Sequence, residues 1–207
     1  MFTLTTRVPG WQTVRVSRRD EVLHAALDLL DEVGLDALTT RRLAERLGVQ
    51  PGALYRHFPS KRALLTAMVE AVTMDDGTPA ASGRWDEMLR SGAMEYRNRL
   101  LRHRDGARLV ATGVRPDQAA AQQGWHRMIA MVRGSGLDQA GAMAAVDTVF
   151  AYANGFTIEE QARSDFPPTP AQRAERDAAF HTGLALILTG ITTTASARAA
   201  QRAEPTP

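Results

Sequence analysis

Residues 49–65 read VQPGALYRHFPSKRALL, and the fold follows from how this stretch is read. The chain holds 24 arginines and a single lysine. That lysine, Lys61, lies within eight positions of Tyr55, Arg56, His57, Phe58 and Arg62. Pro51 suits the first turn of a helix, where its missing N–H has no helical partner. The spacing predicts a short helix from about Gln50 to Phe58, with Val49, Leu54 and Phe58 facing inward. Pro59 ends it and Ser60 caps a fourth helix, KRALLTAMVEAV. Between Gln50 and His57 there is no carboxylate, and Gly52 and Ala53 are small enough for close approach to a partner.

Two more helices precede it. Val22, Ala26, Leu29, Leu30 and Val33 trace one helical face over Arg18–Val33. Ser17 with Asp20 marks its start, and Gly34 is expected to close it in a left-handed turn. Thr39 or Thr40 caps a short second helix, RRLAERLG, which Gly48 stops. Short helices joined this tightly form a helix-turn-helix, whose third helix lies in the major groove of DNA. On that reading Arg56 reads a guanine edge or grips a phosphate. Tyr55, His57 and Lys61 suit phosphates. Because Gln-Pro-Gly-Ala offers few base-reading side chains, direct readout falls to Gln50, Arg56 and Arg41, or to DNA shape.

The run DALTTRRLAERLGVQPGALYRHFPSKRALLTAM resembles the helix-turn-helix of the TetR family of bacterial transcriptional regulators. It shares the Thr-Thr-Arg opening, Leu-Ala-x-x-Leu-Gly-Val, Leu-Tyr-x-His-Phe and the Lys after a Ser. SGAMEYRNRLLRHRDGARL, VRPD at 114–117 and GFTIEEQ at 155–161 are similar to the ligand-binding domain of tetracycline repressors. The resemblance implies DNA contacts at Thr40, Arg41, Gln50, Pro51, Gly52, Ala53, Tyr55, Arg56, His57 and Lys61. It implies a homodimer whose last two long helices pair in a four-helix bundle, and operator half-sites about 34–36 Å apart. It also implies a small-molecule effector bound in the C-terminal core, with no cofactor.

The tetracycline repressors' metal-binding His has no counterpart: Leu109, Val110 and Ala111 stand in that segment. Gly92 replaces a ligand-contacting Asn, and a second ligand-contacting His falls near Gly77. Tyr96, Arg115, Pro116 and Glu159 keep family features, which points to an apolar or uncharged effector rather than a magnesium chelate. From the residues themselves, Trp125, Met128, Ile129, Phe150 and Asn154 are pocket candidates, since such pockets are mostly apolar with a few polar groups. Core or dimer packing is the competing role for the apolar ones.

The remaining sequence is read as all-α: an N-terminal three-helix helix-turn-helix unit plus a C-terminal helical ligand-binding and dimerisation domain. The expected division is a flexible basic arm at 1–17, the DNA-binding unit at 18–74, a linker at 75–83, the C-terminal domain at 84–200 and a tail at 201–207. Further helices are expected over Trp85–His103, Ala107–Ala111, Pro116–Val132, Asp138–Arg163 and Ala171–Ala195, with 164–170 (SDFPPTP) irregular. Net charge is +2, but residues 1–62 carry ten basic against seven acidic side chains, a net of +3, leaving −1 for the rest. That skew suits a polyanion partner. The absence of cysteine excludes thiol chemistry and disulfides. No signal peptide and no bilayer-spanning segment is expected, so the protein is placed in the cytoplasm. HRDG at 103–106 imitates part of a kinase loop by chance, having no glycine-rich loop before it. No catalytic constellation stands out, so the chain does not read as an enzyme. A DNA-binding dimer without effector, and a helical small-molecule-binding enzyme, are the competing functions.

Overall fold

The computed structural model describes residues 17–73, 83–112 and 119–203. The arm up to residue 16, the linker at 75–82, Arg115 and Pro116, and the tail from 204 lie outside these. Among the described residues every regular element is an α-helix: α1 Arg18–Val33, α2 Thr40–Leu47, α3 Pro51–Leu54, α4 Lys61–Thr73, α5 Trp85–Leu100, α6 Gly106–Ala111, α7 Ala119–Arg133, α8 Gln139–Gln161 and α9 Pro170–Ala203.

The start signals act as the sequence suggests. The Asp20 N–H donates to Ser17 Oγ at 3.2 Å and the Ser17 N–H donates to Asp20 Oδ2 at 3.3 Å, a reciprocal capping box. Thr39 caps α2 by accepting from the Arg42 N–H at 3.2 Å. Ser60 Oγ accepts from the Ala63 N–H at 3.0 Å at the start of α4. Gly48 closes α2 in the left-handed conformation, φ 64° and ψ 30°.

Several expected boundaries differ; α5, for one, ends at Leu100 instead of His103. Gly34 has positive φ but an extended ψ of 171°, so it does not form a left-handed cap. Its conformation instead aims the next amide, that of Leu35, at Asp105 Oδ2, 2.8 Å away. A Cβ at Gly34 would lie 2.9 Å from that same oxygen. Helix α3 ends at Leu54 instead of Phe58, because Pro59 disfavours helical backbone at Phe58. Tyr55–His57 form a turn, with the His57 and Phe58 N–H groups both donating to Leu54 O at 2.9 Å. Helix α9 runs eight residues past the expected Ala195, since no Gly or Pro interrupts 191–203.

Two hydrophobic cores result. The first joins α1–α4, with Leu30, Leu43, Met68 and Val69 at its centre, and it takes in Leu100, Ala107 and Leu109 from α5 and α6. The second joins α5, α7, α8 and α9 around Leu89, Val132, Val146, Phe180 and Leu184. A buried ion pair, joined by the partly exposed Asp177, crosses the second. Arg97 of α5 is 3% exposed and Glu160 of α8 is 2% exposed. Arg97 donates to Glu160 Oε2 from Nε at 3.0 Å and from Nη2 at 2.9 Å. It also donates from Nη1 to Asp177 of α9 at 2.7 Å. Its guanidinium lies over the rings of Phe180 and Phe156, 4.9 and 5.6 Å from their centroids.

Contrary to the expectation of no spanning segment, α9 is long and apolar enough to cross a membrane by length and composition. The cause is an uncharged run from Ala178 to Ala197. One face of that run packs inward through Phe180, Leu184, Leu188 and Ala195, the pattern of a helix on a protein core. The opposite face is open, and Leu186 is 71% exposed.

Removing one partner of a buried ion pair strands the other. Arg97→Met should therefore cost about 3–5 kcal/mol, and Arg97→Met with Glu160→Leu should recover most of it. Urea denaturation at fixed protein concentration measures both.

Candidate nucleic-acid interface and effector core

Helix α3 buries Leu54, and the turn behind it buries Phe58. With those two facing inward, Gln50, Pro51, Gly52 and Arg56 are exposed and Ala53 and His57 are half-buried. Tyr55 is 49% exposed, a large ring left outside the core. Lys61 is exposed at the start of α4. On α2, Thr40 is half-buried and Arg41 is exposed, its Nε held by Glu45 at 3.0 Å. The fold thus brings all ten residues to the side of the first core formed by α2, α3 and the start of α4.

The arginines around this face divide by charge pairing. Arg46 is neutralised by Glu32 at 2.6 Å, Arg18 by Glu21 at 2.6 Å and Arg41 by Glu45. Arg56, Lys61 and Arg62 have no acidic partner among the described residues. Exposed positive charge without internal pairing is what a phosphate backbone neutralises, releasing counterions. A shallow cleft of about 340 Å³ between the start of α1 and α3 is lined by Arg18, Val22, Val49, Arg56 and His57, so α1 borders the same face.

This unit is fastened to the C-terminal core around the turn between α5 and α6, and Arg99 Nη1 of α5 also donates to Thr73 O of α4 at 3.2 Å. Asp31 accepts from the Arg104 N–H at 2.8 Å and lies 3.0 Å from His103 Nδ1. Arg104 Nη1 donates to Glu32 O at 3.1 Å. Arg108 donates to Asp36 at 2.9 Å and to Asp105 at 3.3 Å, and the Arg108 hydrogen bond holds the Asp36 carboxyl below its usual range. The same turn is held from behind by α8. Gln161 Nε2 donates to Leu100 O at 3.1 Å and to His103 O at 2.8 Å, and its Oε1 accepts from the Ala107 N–H at 3.2 Å. HRDG is therefore a structural joint. Its four residues are one reason the sequence alone missed it, because the partners lie some seventy positions away.

In the second core, Tyr96 meets Phe150 edge-on at 5.2 Å, and Trp125 meets Phe150 at 5.5 Å. The Tyr96 hydroxyl donates to Asn154 Oδ1 at 3.4 Å. Burial pushes the Tyr96 phenol up to about 12, so it stays a neutral donor. Ile129 is buried and Met128 half-buried beside them. Tyr96, Trp125, Met128, Ile129, Phe150 and Asn154 thus gather at the meeting of α5, α7 and α8. Glu159 does not join them: it is exposed on α8, and its neighbour Glu160 is the buried carboxylate. Arg115 lies outside the described residues. Among the described residues no group of three His, Cys, Asp or Glu side chains is placed to hold a metal. Leu109 is buried in the first core, and Val110 packs against it.

Comparison with known proteins is in keeping with this arrangement. The profile described as "Bacterial regulatory proteins, tetR family" matches residues 22–68, and that described as "Tetracyclin repressor-like, C-terminal domain" matches residues 78–176. The chain is 40% identical over 192 residues to the tetracycline repressor protein class A from transposon 1721 of Escherichia coli, covering 82% of this chain and 88% of that protein. A single-substitution variant of TetR from Acinetobacter baumannii AYE, solved in complex with minocycline, superposes with a TM-score of 0.74 at 39% identity, covering 84% of this chain and 96% of that one. BioQ, solved with its double-stranded DNA operator, superposes with a TM-score of 0.65 at 32% identity, covering 86% of this chain and 99% of that one.

The chain has three tyrosines. The folded phenol of Tyr96 titrates above its unfolded value of about 10. The folded state therefore holds the extra proton between these values, and stability falls as pH rises through that window. Absorbance at 295 nm should show a late tyrosinate step near pH 12 that Tyr96→Phe abolishes.

Proposed function

The chain belongs to the tetR family of bacterial regulatory proteins, and on that premise we propose that it represses transcription from a palindromic operator until a small molecule releases it. It is a ligand-responsive DNA-binding regulator; the repressor sign, the homodimer and the effector class are the proposed parts. The observation that carries the reading is the conjunction at α3. A recognition helix bordered by Arg56, Lys61 and Arg62, all without acidic partners among the described residues, is joined through the α5–α6 turn to an aromatic core with a neutral lining.

Gln50 and Arg56 are assigned to base edges, and Arg41 joins them once DNA draws it from Glu45. Exposed pairs of that kind are worth about 0.2–1 kcal/mol, so the exchange costs little. Thr40, Tyr55, His57 and Lys61 are assigned to phosphates, while Pro51, Gly52 and Ala53 permit close approach. The open face of α9 around Leu186, with the exposed side of α8, is assigned to a second copy of the chain. A twofold pair then presents two recognition helices to two half-sites. The effector is an uncharged, largely aromatic compound seated among Tyr96, Trp125, Phe150 and Asn154 and bound without magnesium. Such a ligand needs only to prefer the released state by about 3 kcal/mol to shift binding more than a hundredfold.

Gel retardation with DNA upstream of the gene tests the core of this reading. Arg56→Ala should relax sequence preference, at a cost of about 1–3 kcal/mol at the cognate site. Lys61→Ala should weaken all sequences alike and flatten the salt slope by about one unit. Unchanged binding in both sinks the assignment. Leu186→Glu should convert the dimer to monomer in light scattering and abolish operator binding while the helical circular dichroism persists. In a thermal-shift screen the stabilising compounds should act equally well in EDTA; a requirement for magnesium contradicts the proposed effector class.

A further inference from the structure

Arg19 lies in the first turn of α1, outside α2, α3 and the start of α4, which supply every contact assigned so far. Its guanidinium stacks on the ring of Phe58, 4.8 Å from the centroid. Phe58 is 4% exposed and belongs to the core behind α3, while Arg19 is exposed. A guanidinium held over a ring in this way keeps N–H donors available to an outside acceptor. Arg18, its neighbour in the chain, donates to Glu21. Arg19 has no acidic partner among the described residues, a property it shares with Arg56, Lys61 and Arg62. Stacking also fixes a side chain that otherwise loses rotamer freedom on binding, so less entropy opposes contact.

We propose that Arg19, held over the Phe58 ring, is a further phosphate anchor that ties the start of α1 to the DNA backbone beside the recognition helix. A planar guanidinium with free edge donors matches a phosphate bidentately and carries no base information. The Phe58 ring then serves both sides of the fold: one face seals the core and the other orients a charge. This assignment rests on the DNA-binding reading above, and its test separates the two.

Binding is measured by fluorescence anisotropy against a random-sequence duplex and the duplex recovered by binding-site selection, between 50 and 200 mM salt. Arg19→Gln should weaken both duplexes by the same factor, about tenfold at 50 mM, and lower the salt slope by about 0.9 per protomer. For two protomers on one duplex the variant-to-parent ratio should then shrink about twelvefold across that salt range, so that the variant approaches the parent at 200 mM. Arg19→Lys should restore the slope. Phe58→Leu should weaken binding a few-fold in the parent and add nothing in the Arg19→Gln background; additive weakening overturns the stacking role. Parent-like affinity and slope in Arg19→Gln, with Arg56→Ala and Lys61→Ala both impaired, overturns the anchor and leaves the regulator reading intact. Parent-like binding in all three removes the reading itself.

Discussion

The Asp105 carboxylate accepting the Leu35 amide, inside a turn pinned from behind by Gln161, is the constraint on which the rest of the structure depends. The DNA-binding unit makes only a four-helix core, and its apolar centre is completed by Leu100, Ala107 and Leu109 from beyond that unit. The turn that carries these residues is a sharp one. Asp105 adopts φ 57°, and a Cβ on Gly106 would collide with the Leu100 carbonyl oxygen. A backbone this tight has few alternative shapes, which suits it to carry a shift at the end of α8 to α1. Arg97 and Glu160 stand at the α8 end of the same chain of contacts, with Glu160 adjacent to Gln161. The effector core and the joint therefore share one helix, α8.

Charge is used in two ways. Where the fold must hold, charges are paired: Arg108 with Asp36 and Asp105, Arg104 with the end of α1, and Arg97 with two carboxylates. At the proposed DNA face Arg56, Lys61 and Arg62 are left single among the described residues, while Arg41 is held by Glu45. This division leaves these three unpaired cations beside α3 in a chain of net charge +2. It also accounts for the lone lysine, since every other basic side chain is an arginine. An ammonium at a capped helix start is a compact point charge with rotating donors, suited to one phosphate, whereas arginine suits planar pairing.

Most of the fold was legible in local signals. Ser17 with Asp20, Thr39, Gly48, Pro51 and Ser60 mark helix ends by chemistry confined to three or four residues, and periodicity marks the faces. The early end of α3 and the long α9 have local causes, but the other failures come from partners distant in sequence. Gly34 departs from the left-handed cap because Asp105, distant in sequence, claims the next amide. HRDG reads as chance for the same reason, its partners being Asp31, Glu32 and Leu35. The membrane-like composition of α9 is local, and only tertiary packing shows which half of it the core uses. At the DNA face, residue types and spacing named the helix, but Arg19 was hidden: nothing in the sequence says that its guanidinium lies on Phe58. In the second core the sequence placed Trp125, Phe150 and Asn154 in apolar helices, and the structure brings them together with Tyr96. Adjacent carboxylates at 159 and 160 differ by the 100° step of a helix, and spacing alone did not say which one is buried.

Hydrogen exchange at the Ala107 amide, with and without the selected operator duplex, tests the joint most directly. This amide donates to the side chain of Gln161 and belongs to none of the assigned DNA contacts. If the α5–α6 turn couples the two cores, operator binding slows exchange at Ala107 along with that at Leu35. Protection confined to α1–α4, with Ala107 exchanging at its free rate, contradicts the account.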